Sequence, residues 1–91
     1  MIIYRPQRGS LEEALNQTAE FQSESDMKKY IVQEFNGLIS EEDIILGDKA
    51  INDSRTGWKD TRTISIKKYG DQDYTKLYGT PQAVGFYATQ Y

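Results

Sequence analysis

Residues 57–63, Gly-Trp-Lys-Asp-Thr-Arg-Thr, hold the only tryptophan of the chain, set among Lys59, Asp60 and Arg62. An indole in that setting can close one end of a core, its N–H bonded to a carbonyl. It can also anchor a partner or a planar ligand, because Trp, Tyr and Arg dominate binding hot spots. Asp60 and Arg62 lie two apart on a predicted strand, so they share a face and are expected to pair with each other. A second group, Glu41, Glu42 and Asp43 with Asp48 and Asp53 beyond, offers carboxylates to a hard cation. It lacks the alternating ligands, central glycine and closing glutamate of a calcium loop, and a turn that caps a helix N-terminus is expected instead. The third group is aromatic: seven tyrosines, five of them after residue 68, with Lys67, Lys68 and Lys76 interleaved. Rings and cations in alternation suit the stacking of bases over a basic surface.

What the chain lacks narrows the chemistry. It has no histidine and no cysteine. Nucleophile systems built on Ser-His-Asp or Cys-His are therefore excluded within one chain, as is a Cys/His zinc site. Carboxylates, Lys and Tyr can still catalyse, but the set most often used for proton transfer is missing, and no enzyme activity is expected. No cofactor or metal is expected either. Cysteine-free composition, no apolar run near the roughly 20 residues of a membrane helix, and a start unlike a signal peptide together predict a cytoplasmic protein with no membrane partner.

The formal charge of −3 hides an asymmetry. Residues 10–48 carry ten Asp/Glu against two Lys, whereas residues 49–91 carry seven Lys/Arg against four Asp. Such polarity shapes association more than fold. Acidic helices can also take the place of nucleic-acid phosphates before a basic groove.

The elements that must position these groups follow from spacing. Residues 2–5 read as a short strand stopped by Pro6. Ser10 with Glu13 fits a capping box, and Leu11, Ala14, Leu15 and Ala19 recur at helical spacing, which predicts a helix from 11 to about Phe21. Ser23 with Asp26 opens a second helix carrying Met27, Tyr30, Ile31 and Phe35, closed at Asn36-Gly37. Residues 40–43 read as a capped turn leading to a buried strand at 44–46, and 47–57 as a loop. Alternation predicts a strand at 61–69 with Ile64 and Ile66 inward. A short helix at 71–78 ends at Gly79 and Pro81. The final alternation puts Val84, Phe86 and Ala88 on one face, and Tyr87, Thr89 and Tyr91 on another that is polar and open. The order β-α-α-β-β-α-β over residues 1–91 predicts one α+β domain, with a largely antiparallel sheet of about four strands and helices on one face.

The stretches "IYRPQRGSLEEAL", "GWKDTR" and "YGTPQAVGFYATQY" resemble a family of small uncharacterised proteins from phages and integrative elements of Gram-positive bacteria. The resemblance spans nearly the whole chain. Many members of that family carry cysteines where this chain has Thr80, Ala83 and Tyr87, so a metal or redox role there does not transfer. Kinship with mobile elements implies a non-catalytic inhibitor of host defence, of the anti-CRISPR kind. Its expected partner is a host protein, a nucleic-acid-binding defence effector, met by Glu41, Glu42, Asp43 and Asp48. The alternative is a nucleotide or nucleic-acid binder, such as a sponge for a signalling nucleotide, using Trp58, Arg62, Lys67, Lys68, Tyr87 and Tyr91.

Overall fold

Strand β1 (Ile2–Pro6) is buried along its whole length because it lies inside a sheet, between β2 (Ala19–Phe21) and β8 (Gln82–Thr89). The computed structural model describes residues 1–91 except 8–12, 14, 15, 55, 90 and 91. The elements between are α1 (Glu24–Glu34), a 3₁₀ turn (Glu41–Asp43), β3 (Ile44–Leu46), β4 (Ile51–Asp53), β5 (Trp58–Ile66), β6 (Lys68–Tyr69), β7 (Gln72–Asp73) and α2 (Tyr74–Tyr78). The architecture is α+β. One six-stranded sheet runs β2-β1-β8-β5-β3, with β4 also on β5, and every pairing is antiparallel. Strands β6 and β7 form a separate two-stranded ribbon.

Helix α1 forms where its caps predict. The Ser23 hydroxyl accepts from the Asp26 N–H, and Asn36 and Gly37 take φ of 56° and 73° to end the helix. Its buried residues Met27 and Ile31 meet Ile2, Tyr4, Ile44, Ile64, Ile66 and Tyr87 in one core between helix and sheet. The Tyr4 hydroxyl crosses that layer and donates to Glu34 at 2.8 Å.

Four expectations are corrected. The first helix does not reach Phe21: residues 19–21 are strand β2, paired to β1 through Ile2↔Phe21 and Tyr4↔Ala19. The Ser10 capping box and the start of that helix lie outside the described residues. Residues 51–53 within the expected loop are strand β4, paired to the first half of β5 through Ile51↔Thr61 and Asp53↔Trp58 with a register shift between them. The predicted strand 61–69 begins earlier, at Trp58, and breaks at Lys67. There the Lys67 N–H donates to Asp43 and its carbonyl accepts from Tyr74.

The fourth correction concerns the two faces of β8. In its pairing with β5, Ile64 faces Gly85 and Ser65 faces Ala83, so Val84 is an extra residue. Such a bulge shifts the alternation by one. Val84 and Tyr87, three apart, both pack on the core, while Phe86 sits opposite Arg5 on the other side. Tyr87 is 4% exposed and is therefore no part of a ligand surface. Nor is the far face open and polar: Ile3, Arg5, Thr61 and Ala88 are all buried.

The short helix α2 owes its position to Asp73. That carboxylate accepts from the Thr75 hydroxyl and from the Thr75 and Lys76 N–H groups, and Gly79 closes the helix at φ 78°. The Thr75 hydroxyl, helped by the two backbone donors, holds the Asp73 carboxyl below its ordinary value, with desolvation opposing. Because the folded value is lowered, the cap's contribution is complete above the unfolded value near 4 and fades as pH falls through the folded one. An NMR titration of the Asp73 carboxyl is expected to show a midpoint below that of a free aspartate, and a normal midpoint in Thr75→Val would identify the hydroxyl as the cause.

Candidate functional site

Two surfaces collect the residues that could act. The first is a groove of about 430 Å³ at the end of the sheet. Phe35 from the end of α1, Ile66 from β5, Tyr69 from the ribbon, Tyr74 and Tyr78 from α2, and Gln82, Ala83 and Val84 from β8 line it. Helical spacing of i, i+4 places Tyr74 and Tyr78 on one side of α2, with ring centroids 6.1 Å apart at 30°. Tyr69 meets Phe35 edge-on at 5.8 Å. Backbone bonds fix these walls: Gly70 N–H to the Leu38 carbonyl at 2.9 Å, and Tyr74 N–H to the Lys67 carbonyl at 2.8 Å. Volume and lining match those of ordinary ligand or anchor pockets, which are mostly apolar and aromatic.

Among the described residues no charged side chain lines this groove. The reason is geometric. Lys68 precedes Tyr69 in a strand, so the two side chains leave on opposite sides. Lys76 is two residues from both Tyr74 and Tyr78, about 200° around the helix from each. The interleaving of Tyr and Lys thus separates rings from cations instead of combining them.

The second surface is acidic. Glu24 and Ser25 from the first turn of α1 and Glu41 and Glu42 from the 3₁₀ turn line a shallow pocket together with Lys28. Asp43 belongs to the turn itself: its carboxylate accepts from the Ser40 hydroxyl at 3.0 Å and from the Ser40 N–H at 3.4 Å. Asp48 is exposed beyond β3, outside the residues lining that pocket. Among the described residues no group of three or more acids is placed to hold a metal ion, and no helix is long and apolar enough to cross a membrane.

The other predicted residues do not assemble into one surface. Trp58 stands on the far face, beside the guanidinium of Arg5. Arg5 is 2% exposed, pairs with Asp53 at 3.2 Å, and lies 5.3 Å from the Trp58 ring centroid and 4.6 Å from that of Phe86. The lone tryptophan therefore covers a buried cation, not an end of the apolar core. Arg62 is exposed on β5, and Asp60, expected as its partner, takes φ 53° instead of continuing the strand's alternation. Lys67 and Lys68 are exposed near the ribbon, at the other end of β5 from Trp58. Tyr91 lies outside the described residues.

Sequence reasoning missed Phe35, Tyr69, Tyr74 and Tyr78 as a set, although the excess of tyrosines after residue 68 was the available signal. Neither Arg5 nor Asp53 carries a local mark of its partnership, 48 residues apart. Compared with known proteins, the chain matches no family model, no curated protein and no solved structure.

Proposed function

We propose that this chain is a non-catalytic binding protein that docks on another protein through the aromatic groove. The observation that carries the reading is the lining: four aromatic rings and, among the described residues, no charge around about 430 Å³. Tyrosine is favoured at interfaces because a large, rigid surface is buried at little entropic cost and the hydroxyl finds a partner. The absence of histidine and cysteine supports binding over catalysis. With the resemblance to mobile-element proteins, the fitting role is inhibition of a host defence protein. A second reading, in which the acidic surface blocks a nucleic-acid site on such an effector, is favoured by the convergence of Glu24, Glu41 and Glu42. A nucleotide-binding role is less favoured, because no cation among the described residues lines the groove to meet a phosphate.

Capture from a lysate of a Gram-positive bacterium separates these readings. With Tyr69→Ala/Tyr78→Ala the groove reading expects the captured partner to be lost, and with Glu24→Lys/Glu41→Lys/Glu42→Lys to be kept. The acidic reading expects the reverse, together with an on-rate that falls as salt rises. Retention in both variants, each shown folded by its NMR dispersion, would remove both readings.

A further inference from the structure

Asn36 is followed by Gly37, and no other asparagine of the chain precedes a glycine. That pair carries latent chemistry. The Gly37 backbone nitrogen can attack the Asn36 side-chain carbonyl carbon, and glycine has no side chain to block the approach. The N–Cγ bond forms, the Cγ–Nδ2 bond breaks, and Nδ2 leaves as ammonia with the proton of the Gly37 nitrogen. Water then opens the cyclic imide. Opening at one carbonyl leaves an aspartate, and opening at the other leaves an isoaspartate, whose main chain runs through the former side chain.

The fold sets when this happens. Asn36 and Gly37 are exposed at the end of α1, and no described residue bonds the Asn36 amide. The attacking nitrogen is engaged: Gly37 N–H donates to the Val32 carbonyl at 3.0 Å, with Asn36 and Gly37 both left-handed at φ 56° and 73°. Ring closure therefore waits for that turn to open. Helix ends open in a minority of molecules, and the last turn of α1 has no basic residue to hold its carbonyls. The product cannot rebuild the same turn. Its new carboxylate sits at the C-terminal end of the helix, where the macrodipole disfavours negative charge. In the isoaspartate the backbone is also longer by a methylene, between Phe35 on the groove and Leu38. The Leu38 carbonyl accepts the Gly70 N–H at 2.9 Å, a bond that ties the ribbon to the end of α1. We infer that Asn36 is a site of spontaneous deamidation, gated by opening of the α1 C-terminus, and that conversion to isoaspartate releases the ribbon from the helix.

The test holds the full chain in mildly alkaline buffer, folded and in parallel unfolded in urea, with tryptic digestion over time. Cleavage at Lys29 and Lys49 gives the peptide 30–49, in which Asn36 is the only asparagine. The expected result is the mass gain of an amide-to-acid exchange in that peptide. It is expected to be about tenfold slower in the folded chain, as for a reactive form that is open in about a tenth of molecules. Asn36→Gly keeps the left-handed turn and removes the amide, so its peptide is expected to stay unchanged. No gain in the folded chain, or equal rates folded and unfolded, would overturn the gated reaction. A gain that persists in Asn36→Gly would move it to Gln33 and overturn the site. Hydrogen exchange of the isolated isoaspartate form is expected to show lost protection at the Gly70 N–H, and retained protection would overturn release of the ribbon. Asn36→Asp adds the charge without lengthening the backbone and is expected to lose less protection there; an equal loss would overturn the part assigned to the longer backbone.

Discussion

Asp53→Ala is expected to destabilise the protein by about 3–5 kcal/mol, the range for breaking a buried ion pair from one side. Arg5 is 2% exposed, and its guanidinium reaches Asp53 across β8 and β5 at 3.2 Å. Without the carboxylate the cation stays between Trp58 and Phe86, cut off from water. It begins from a weak position, because its Nη1 already has no hydrogen-bond partner, and neither has the nearby strand's Thr61 hydroxyl. The double replacement Arg5→Met/Asp53→Leu is expected to recover most of the loss, since an apolar pair of similar volume needs no counter-ion. Trp58→Ala is expected to cost less, about 1–2 kcal/mol, because one ring is lost and water gains access to the cation. Urea unfolding of the three variants beside the wild type measures all of these. A loss under about 1 kcal/mol for Asp53→Ala would mean that Arg5 is not held as a buried charge.

The second large effect separates two isoleucines of one sheet. Ile64→Ala is expected to cost about 2–5 kcal/mol, as for other buried aliphatic truncations, because Ile64 is fully buried beside Ile31, Tyr4 and Tyr87 and its cavity cannot collapse against a paired strand. Ile51→Ala is expected to lie within about 0.5 kcal/mol of the wild type, since Ile51 is 58% exposed on β4. Thermal unfolding measures both, and equal losses would contradict the burial of Ile64 and the exposure of Ile51.

Local chemistry made much of the fold legible. Ser23 with Asp26, Asn36-Gly37, the 40–43 turn and Gly79 before Pro81 each act within a few residues, through a hydrogen bond or a left-handed backbone that sequence marks directly. The same is true of Ile64 and Ile66, whose inward direction follows from alternation alone. The α+β class follows from these elements. The excess of late tyrosines was visible too, but it did not show that Tyr69, Tyr74 and Tyr78 would line one groove with Phe35.

The chain's own pattern determined which segments are helix or strand wherever caps and periodicity were strong, and it ruled out histidine and cysteine chemistry outright. Tertiary structure decided the rest, because the deciding contacts join residues far apart. Strands β2 and β4 are three residues each, too short to show a period, and exist through pairing with β1 and β5. One extra residue at Val84 moved Tyr87 into the core and Phe86 to the far face, an exchange that simple alternation cannot anticipate. Arg5 reads as a strand-end charge until Asp53 arrives from 48 residues away to bury it. Rings from the end of α1, the ribbon and α2 form one groove only when these elements dock. Periodicity records which side of its own element a residue occupies; it carries no information on which element will face that side.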